Sequence, residues 1–277
     1  MANDSRTPGK YGRLPRDPGR YVPTLEHYLR LWEGAIAPSA TTSGGLGVPL
    51  PPATGDIDRE SRVTDWPIYG NDAIGDCTIA EKGHQFAAMR VYAGYDEPLF
   101  PEEQIITAYS AVSGYDPVTG ANDNGADPVT VLQYMSKTGL TDTTGRVHKV
   151  AGWAAFGDPR NASLMAQVLN TFGSVSIAFD CTQNFEDAFA AGEPCQWDPS
   201  SPVVGGHMVC LQRRSVGGTG VLQEITWGAV QRVTRRYNWH QVVDAYAVVS
   251  EDWITANGTS VSGLDLEQLL ADTADVE

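Results

Sequence analysis

The chain has few cysteines and few basic residues for its length. Only four cysteines stand among its 277 residues, at positions 77, 181, 195 and 210, which is too sparse for a disulfide scaffold. Lys and Arg number 19 against 34 Asp and Glu, for a net charge of −15. Because such a surface repels nucleic-acid backbones and anionic membranes, neither is expected as the main partner.

Long apolar runs and cofactor motifs are also missing. No stretch reaches the roughly 18 apolar residues that a membrane helix needs, and the opening Met-Ala-Asn-Asp-Ser lacks the pattern of a secretory signal. We therefore expect a product that is cytoplasmic as synthesised. No Cys/His cluster has zinc spacing, the acidic loop 116–127 lacks the closing Glu of an EF-hand, and no glycine-rich phosphate loop occurs, so no metal and no cofactor are expected. Cys181 and Cys195 could pair across a loop, although a reduced pair is the default in the cytoplasm.

Residues 1–60 are rich in Pro and Gly turns, which predicts an extended N-terminal arm with a short helix over about 24–35. Residues 1–30 carry six basic side chains and three acidic ones, a charge of +3 on an otherwise acidic chain. Such an arm could dock on an acidic neighbour or on a second copy of the chain, or it could be an ordinary solvated segment.

The spacing of apolar residues over 61–277 is typical of one globular domain. Apolar residues recur at helical spacing over about 77–93, 101–113 and 129–137, within a helical part of about 64–140. A β-rich part follows over about 141–255, with strand patterns near 175–179, 206–211, 220–227 and 246–250 and a docked surface loop at 235–239. An acidic helix is expected over 263–272. Helices followed by strands indicate an α+β body with a cleft between its halves.

Cys77 ends the run Asn-Asp-Ala-Ile-Gly-Asp-Cys-Thr at 71–78 and opens the first predicted helix. A thiol on the first turn of a helix lies near unpaired N–H groups and the positive end of the helix dipole, which favour the thiolate. Cys77 is therefore a candidate nucleophile, and a buried structural cysteine is the alternative.

A thiol nucleophile needs a base within hydrogen-bonding reach. His84 lies seven residues along the same helix, roughly 10 Å from Cys77, which is too far. His207 follows Gly205 and Gly206 at the start of an apolar strand, where the backbone can approach closely and the strand can hold the ring. His207 is the candidate base, and a structural histidine is the alternative.

The Cys-to-His interval of 130 residues, followed by Ile-Thr-Trp-Gly at 225–228, resembles the papain-like cysteine peptidases over about residues 64–253. The Asn-Asp-x-x-Gly-Asp-Cys-Thr opening is also similar to uncharacterised proteins of bacterial viruses and their actinobacterial hosts. The resemblance implies a papain-like α+β fold, with a helical left half and an antiparallel sheet or barrel as the right half.

The resemblance also implies roles for residues on both sides of the cleft. Asn71 falls where the family keeps a side-chain amide of the oxyanion hole, and Gly125 and Ala126 fall where a loop binds the substrate backbone. Trp227 corresponds to an indole that shields the histidine. The family's orienting Asn falls at Ile225, so the third catalytic residue is left between Thr226, Gln223 and none.

Two functions follow as hypotheses. The first is a peptidase or related acyl-transfer enzyme in which Cys77 and His207 form a thiolate–imidazolium pair that acts on a peptide or protein substrate. The second is a catalytically degenerate structural component of a phage particle, which docks on virion subunits or on itself through residues 1–60.

Overall fold

The structure is a computed structural model that describes residues 6–20, 22–26, 50, 53–217 and 220–253. The predicted helix over 263–272 and most of the one over 24–35 lie outside the described residues. Within the described part, no helix is long and apolar enough to cross a membrane.

Three helices form the first half of the body, at the positions that the apolar spacing predicts. They are α1 (Cys77–Tyr92), α2 (Glu102–Ser113) and α3 (Pro128–Lys137). Local chemistry sets their ends: the Asp127 carboxylate accepts a hydrogen bond from the backbone N–H of Val129 at 2.8 Å and caps α3, and α2 ends at Gly114 with φ of 77°.

Helix α1 is the central helix and is buried along most of its length. It packs against the strand Val203–Arg214. Lys82 and Glu81 form a fully buried ion pair at 2.9 Å, and Lys82 Nζ also donates to Ser176 Oγ at 2.7 Å. Because an unpaired buried charge is costly, these bonds fix the helix on the sheet in one position.

The second half is built on an antiparallel sheet. Its strands are β1 (Ile57–Asp58), β4 (Val150–Ala155), β5 (Val175–Thr182), β6 (Val203–Arg214), β7 (Val221–Thr226), β8 (Ala229–Thr234) and β9 (Val242–Ser250). The order is β4-β9-β5-β6-β7-β8, with β1 also paired to β6. Strands β2 (Leu140–Thr141) and β3 (Val147–His148) form a separate hairpin. Since β4 and β8 do not pair within the described residues, the sheet is open and the alternative of a barrel is wrong.

Helices α4 (Ala162–Phe172), α5 (Gln183–Ala191) and α6 (Arg235–Gln241) accompany this sheet. The segment 235–239 is therefore a short helix and not the surface loop that we expected. Thr234 caps it by accepting a hydrogen bond from the N–H of Tyr237 at 3.2 Å. Seven residues are too few for a helical period to stand out in sequence, so the cap was the available signal. The fold is mixed α+β, as predicted.

Candidate active site

Cys77 is the first residue of α1 and is only 1% exposed. Burial raises the pKa of its thiol to about 12, and the charge of Asp76 adds to the rise, whereas hydrogen bonds from the backbone of Met208 and Gly12 oppose it. The thiol is thus neutral in the described state. Loss of solvent therefore opposes the thiolate that the helix start was expected to favour.

His207 lies on β6 and is also 1% exposed. Its Nε2 lies 2.6 Å from Thr226 Oγ1, whereas its Nδ1 is buried without a hydrogen-bond partner. The Trp227 ring lies 4.7 Å from the imidazole, centroid to centroid, and covers one face. Burial, followed by the nearby positive charge of Arg13, lowers the pKa of His207 to about 3. The imidazole is therefore neutral as well.

The thiol and the imidazole come from different halves of the molecule. The backbone of Met208, the residue after His207, donates toward the Cys77 sulfur, and the charge of Arg13 acts on both groups. No hydrogen bond joins the thiol to the imidazole, since His207 Nδ1 is unpartnered. The strand therefore places His207 next in sequence to a residue that contacts Cys77, with one ring nitrogen unused.

Thr226 contacts the histidine because of its place on β7. Ile225 pairs with Cys210 of β6 and is buried among apolar groups, so the next side chain along the strand points to the opposite face. That side chain is Thr226, whose hydroxyl faces His207. Gln223 pairs with Arg213 at the far end of the strand and makes no hydrogen bond with His207.

A segment of the N-terminal arm lies in the cleft over these residues. The N–H of Lys10 donates to the carbonyl of Asn71 at 2.6 Å, and the N–H of Arg13 donates to the carbonyl of Gly206 at 3.1 Å. On the helical side, Ala126 N–H donates to the Gly12 carbonyl at 2.8 Å, and Ala126 accepts from Leu14 N–H at 3.0 Å. The described arm is therefore a peptide held in the cleft through its backbone from both walls.

The arm fits only because glycines remove side chains at the crossing. A Cβ on Gly12 would lie 1.6 Å from the carbonyl oxygen of Gly75. A Cβ on Gly125 would lie 2.2 Å from the carbonyl oxygen of Gly12, and Gly125 has a φ of 84° that favours glycine. Backbone thus packs on backbone directly above the loop that carries the thiol.

Two predicted site residues donate to the same carbonyl of the arm. Asn71 Nδ2 donates to the Lys10 oxygen at 3.2 Å, and Trp227 Nε1 donates to it at 3.5 Å. The Tyr11 ring packs edge-on against His207 at 5.9 Å and Trp227 at 6.0 Å, and its hydroxyl donates to the carboxylate of Glu186. The candidate oxyanion amide is therefore placed to hold a peptide carbonyl.

The sequence reasoning missed Asp76 and the arm residues that reach the site. Asp76 precedes the thiol and is fully buried. Burial raises the pKa of its carboxyl well above the usual range; the Asn71 amide offsets this in part, and neither carboxyl oxygen has a partner in hydrogen-bonding geometry. The arm carried a readable signal, since glycines at 9 and 12 alternate with basic and aromatic residues in an otherwise acidic chain.

All four cysteines are free thiols, including Cys181 and Cys195. In the described ranges, no group of three or more His, Cys, Asp or Glu side chains has the arrangement of a metal site.

Comparison with known proteins gives structural matches alone. No family model matches the chain, and no curated protein sequence matches it. Solved structures do. Xylellain, a cysteine protease from Xylella fastidiosa, is 12% identical with a TM-score of 0.56 over 90% of this chain and 99% of that one.

Two precursor forms are similar to the same degree. The structure titled proCathepsin B S9 from Trypanosoma congolense is 12% identical, with a TM-score of 0.55 over 89% of this chain and 87% of that one. Digestive procathepsin L 3 from the larval midgut of Tenebrio molitor is 12% identical, with a TM-score of 0.54 over 88% and 76%. At such identities the likeness concerns the backbone, and the fold of this chain is the papain-like cysteine protease fold.

Proposed function

We propose that this chain is a cysteine peptidase, or a related acyl-transfer enzyme, that acts through Cys77 and His207 and is latent while its own arm fills the cleft. The observation that carries the proposal is the position of the arm: an extended peptide lies between the thiol and imidazole walls and is held by backbone hydrogen bonds. A cleft that holds one peptide in this way offers the same bonds to another.

The site supports a complete acyl-transfer cycle. Once the arm has left, water and substrate reach the cleft, and Cys77 can transfer its proton to the free Nδ1 of His207. The thiolate attacks the substrate carbonyl carbon, and the oxyanion is held by Asn71 Nδ2 and the N–H of Cys77. The imidazolium then protonates the leaving amine as the C–N bond breaks, which leaves a thioester.

Water completes the cycle. His207 takes a proton from the water as its oxygen attacks the thioester, and the C–S bond breaks to release the acid and restore the thiol. Thr226 acts as a positioning residue: its Oγ1 accepts from Nε2–H and so keeps Nδ1 available as the proton acceptor. Ala126 supplies the backbone donor and acceptor for the substrate chain.

The competing hypothesis is a degenerate papain-like component of a phage particle whose arm enters neighbouring subunits. Nothing specific in the structure favours it: described residues of the arm pack on the chain's own cleft. It differs from the peptidase hypothesis in one measurable respect, because it leaves Cys77 an inert thiol whether or not the arm is in place.

The test uses the full chain with the arm excluded from the cleft. In Gly12→Val the new side chain collides with the carbonyl of Gly75. Gly55→Val is the matched control, since a Cβ at Gly55 meets nothing within 4 Å. We expect iodoacetamide to alkylate Cys77 at least about tenfold faster in Gly12→Val, with an apparent pKa well below the free-thiol value of about 8.5.

His207→Ala in the Gly12→Val background should return alkylation to the pH dependence of an ordinary thiol. Hydrolysis of a mixed peptide library by Gly12→Val, with Cys77→Ala in the same background as the blank, reads the activity directly. An exposed Cys77 that labels slowly and a variant that cleaves nothing would reject the peptidase and favour the structural alternative.

A further inference from the structure

Three arginines of the arm each meet an acidic side chain along the cleft, whereas Arg6 donates to the carbonyl of Val230. Arg13 Nη2 lies 2.6 Å from the Asp180 carboxylate, Arg16 lies 3.6 Å from Asp244, and Arg20 lies 3.9 Å from Asp127. Three cations of the arm thus pair with three carboxylates in a chain whose net charge is −15.

Of the three arginines, Arg13 makes the shortest ion pair and is the most buried. The side chain of Arg13 is only 6% exposed. The same Nη2 that meets Asp180 also donates to the carbonyl of Phe179 at 3.3 Å. The carboxylate and the carbonyl converge on one guanidinium nitrogen and together form a binding site for a cation. Such charge-assisted bonds are about twice as strong as neutral ones.

This subsite adjoins the proposed catalytic histidine. Asp180 on β5 pairs with Gly206 on β6, the residue before His207. Along β5, Ala178 lies two residues from Asp180 and pairs with Asp244 of β9, so the side chains of Asp180 and Asp244 project from the same face of the sheet. Gly206 also accepts from the N–H of Arg13, which fixes the backbone that presents the guanidinium.

We propose that Asp180, supported by the carbonyl of Phe179, is a specificity subsite that selects arginine in the substrate peptides of this cleft. The inference rests on the proposed function and adds the substrate class: basic peptides in which an arginine follows the residue whose carbonyl accepts from Ala126. Once the arm is released, Asp180 faces an open groove without its cation, and a substrate arginine restores the same pair. The acidic surface further favours the approach of basic peptides.

Binding can be measured apart from catalysis. The full chain carrying Gly12→Val and Cys77→Ala is titrated with a fluorescent copy of residues 9–16, Gly-Lys-Tyr-Gly-Arg-Leu-Pro-Arg. The matched peptide has citrulline in place of the fifth residue, which keeps the shape of arginine and removes its charge. We expect the arginine peptide to bind several-fold more tightly, since the bond is charge-assisted and only its cation is buried, the side chain of Asp180 being 45% exposed.

The protein side of the pair is tested with Asp180→Asn, which should bind both peptides equally. Asp96→Asn is the control, since Asp96 is an exposed residue at the other end of α1. The subsite is overturned if the chain that keeps Asp180 binds the arginine and citrulline peptides equally. It is also overturned if Asp180→Asn still prefers the arginine peptide by the same factor. Hydrolysis is read separately, so a chain that discriminates without cleaving rejects the catalytic proposal and leaves the arginine subsite in place.

A second measurement does not need the Gly12→Val variant. In the otherwise unaltered chain, Arg13→Gln removes the cation that holds the arm, so Cys77 should be alkylated several-fold faster than in the matched Lys10→Gln chain. Lys10 is exposed and contributes backbone bonds to the cleft. Equal alkylation of the two variants would show that Asp180 does not hold the arm's arginine and would contradict the subsite.

Discussion

Two buried histidines in this molecule are each 1% exposed and differ in what holds them. His148, on the hairpin of the helical half, is flanked by carboxylates: Nδ1 lies 2.6 Å from Asp252 and Nε2 lies 3.0 Å from Asp142. His207, in the cleft, has one neutral hydroxyl on Nε2 and nothing on Nδ1.

The difference separates a ring with both nitrogens engaged from a ring with one nitrogen unused. Both nitrogens of His148 are engaged, so it joins the hairpin to the end of β9 and has no capacity left for chemistry. His207 has one nitrogen fixed and the other unused, at the expense of a buried polar atom without a partner. Buried polar groups are normally satisfied, and the exceptions call for an explanation; the proposed role of Nδ1 as a proton acceptor would provide one.

The largest effect is expected in acid. Because burial lowers the pKa of His207 to about 3 in the folded chain, the unfolded chain, with a pKa near 6.5, binds the proton first as the pH falls. Stability is therefore lost from about pH 6.5 downward toward the folded pKa, and each pH unit costs about 1.4 kcal/mol. His207→Gln should remove that part of the slope in urea unfolding between pH 6.5 and 4.

Burial also lowers the pKa of His84, to about 4. His84 adds the same pH dependence to the unfolding free energy of the parent chain and of His207→Gln, so its contribution cancels when the two are compared. Parallel curves for the parent chain and His207→Gln would contradict the view that His207 is neutral and unpartnered in the folded state.

At neutral pH we expect substitution of His148 to lower the free energy of unfolding more than substitution of His207. His148→Ala leaves Asp252, which is 1% exposed, and Asp142 without the ring between them, so we expect a loss of about 3 kcal/mol in the free energy of unfolding. His207→Ala removes a buried ring of the same size but leaves only the neutral Thr226 hydroxyl without its partner, so it should cost less than His148→Ala by roughly 1 to 2 kcal/mol. Urea unfolding at pH 7.5 measures both, and similar losses would remove the distinction between the two rings.

The smallest effect concerns the single hydrogen bond of His207. In the Gly12→Val chain, Thr226→Val keeps the shape of the side chain and removes the acceptor at 2.6 Å from Nε2. We expect peptide hydrolysis to fall roughly tenfold with little change in stability, since a wrongly oriented or wrongly protonated imidazole is a poor base.

Thr226→Ser retains the hydroxyl and should keep most of the rate, so it serves as the control for a mere change of packing. A Thr226→Val chain as active as the Thr226→Ser chain would mean that the ring is oriented by its packing on Trp227 alone.

Part of this molecule could be predicted from residues and spacing. The α+β class followed from helical periods before 140 and strand patterns after it, and the candidacy of Cys77 and His207 followed from a helix start, a Gly-Gly strand start and 130 residues between them. Their catalytic roles stay predictions. The register of β7, which turns Ile225 away and Thr226 toward His207, follows from pairing with β6, which local sequence does not encode.

The place of the arm could not be predicted for a different reason. Its contacts join Gly12 to Gly75 and Ala126, which are 63 and 114 residues away, and they involve backbone atoms that any sequence carries. Basic charge on residues 1–30 indicated an acidic partner, and among the described residues that partner is the chain's own cleft.

The buried pair Glu81–Lys82 has a mechanical consequence for the proposed enzyme. It lies on the helix that carries the thiol and bonds to Ser176 of the sheet, so it spans the junction of the two halves. Separating the halves would break the bonds of both charged groups to Ser176, and a jaw-like motion is therefore opposed. The width of the cleft is therefore fixed. A substrate peptide must enter along the length of the cleft, and it can do so only after the N-terminal arm has left.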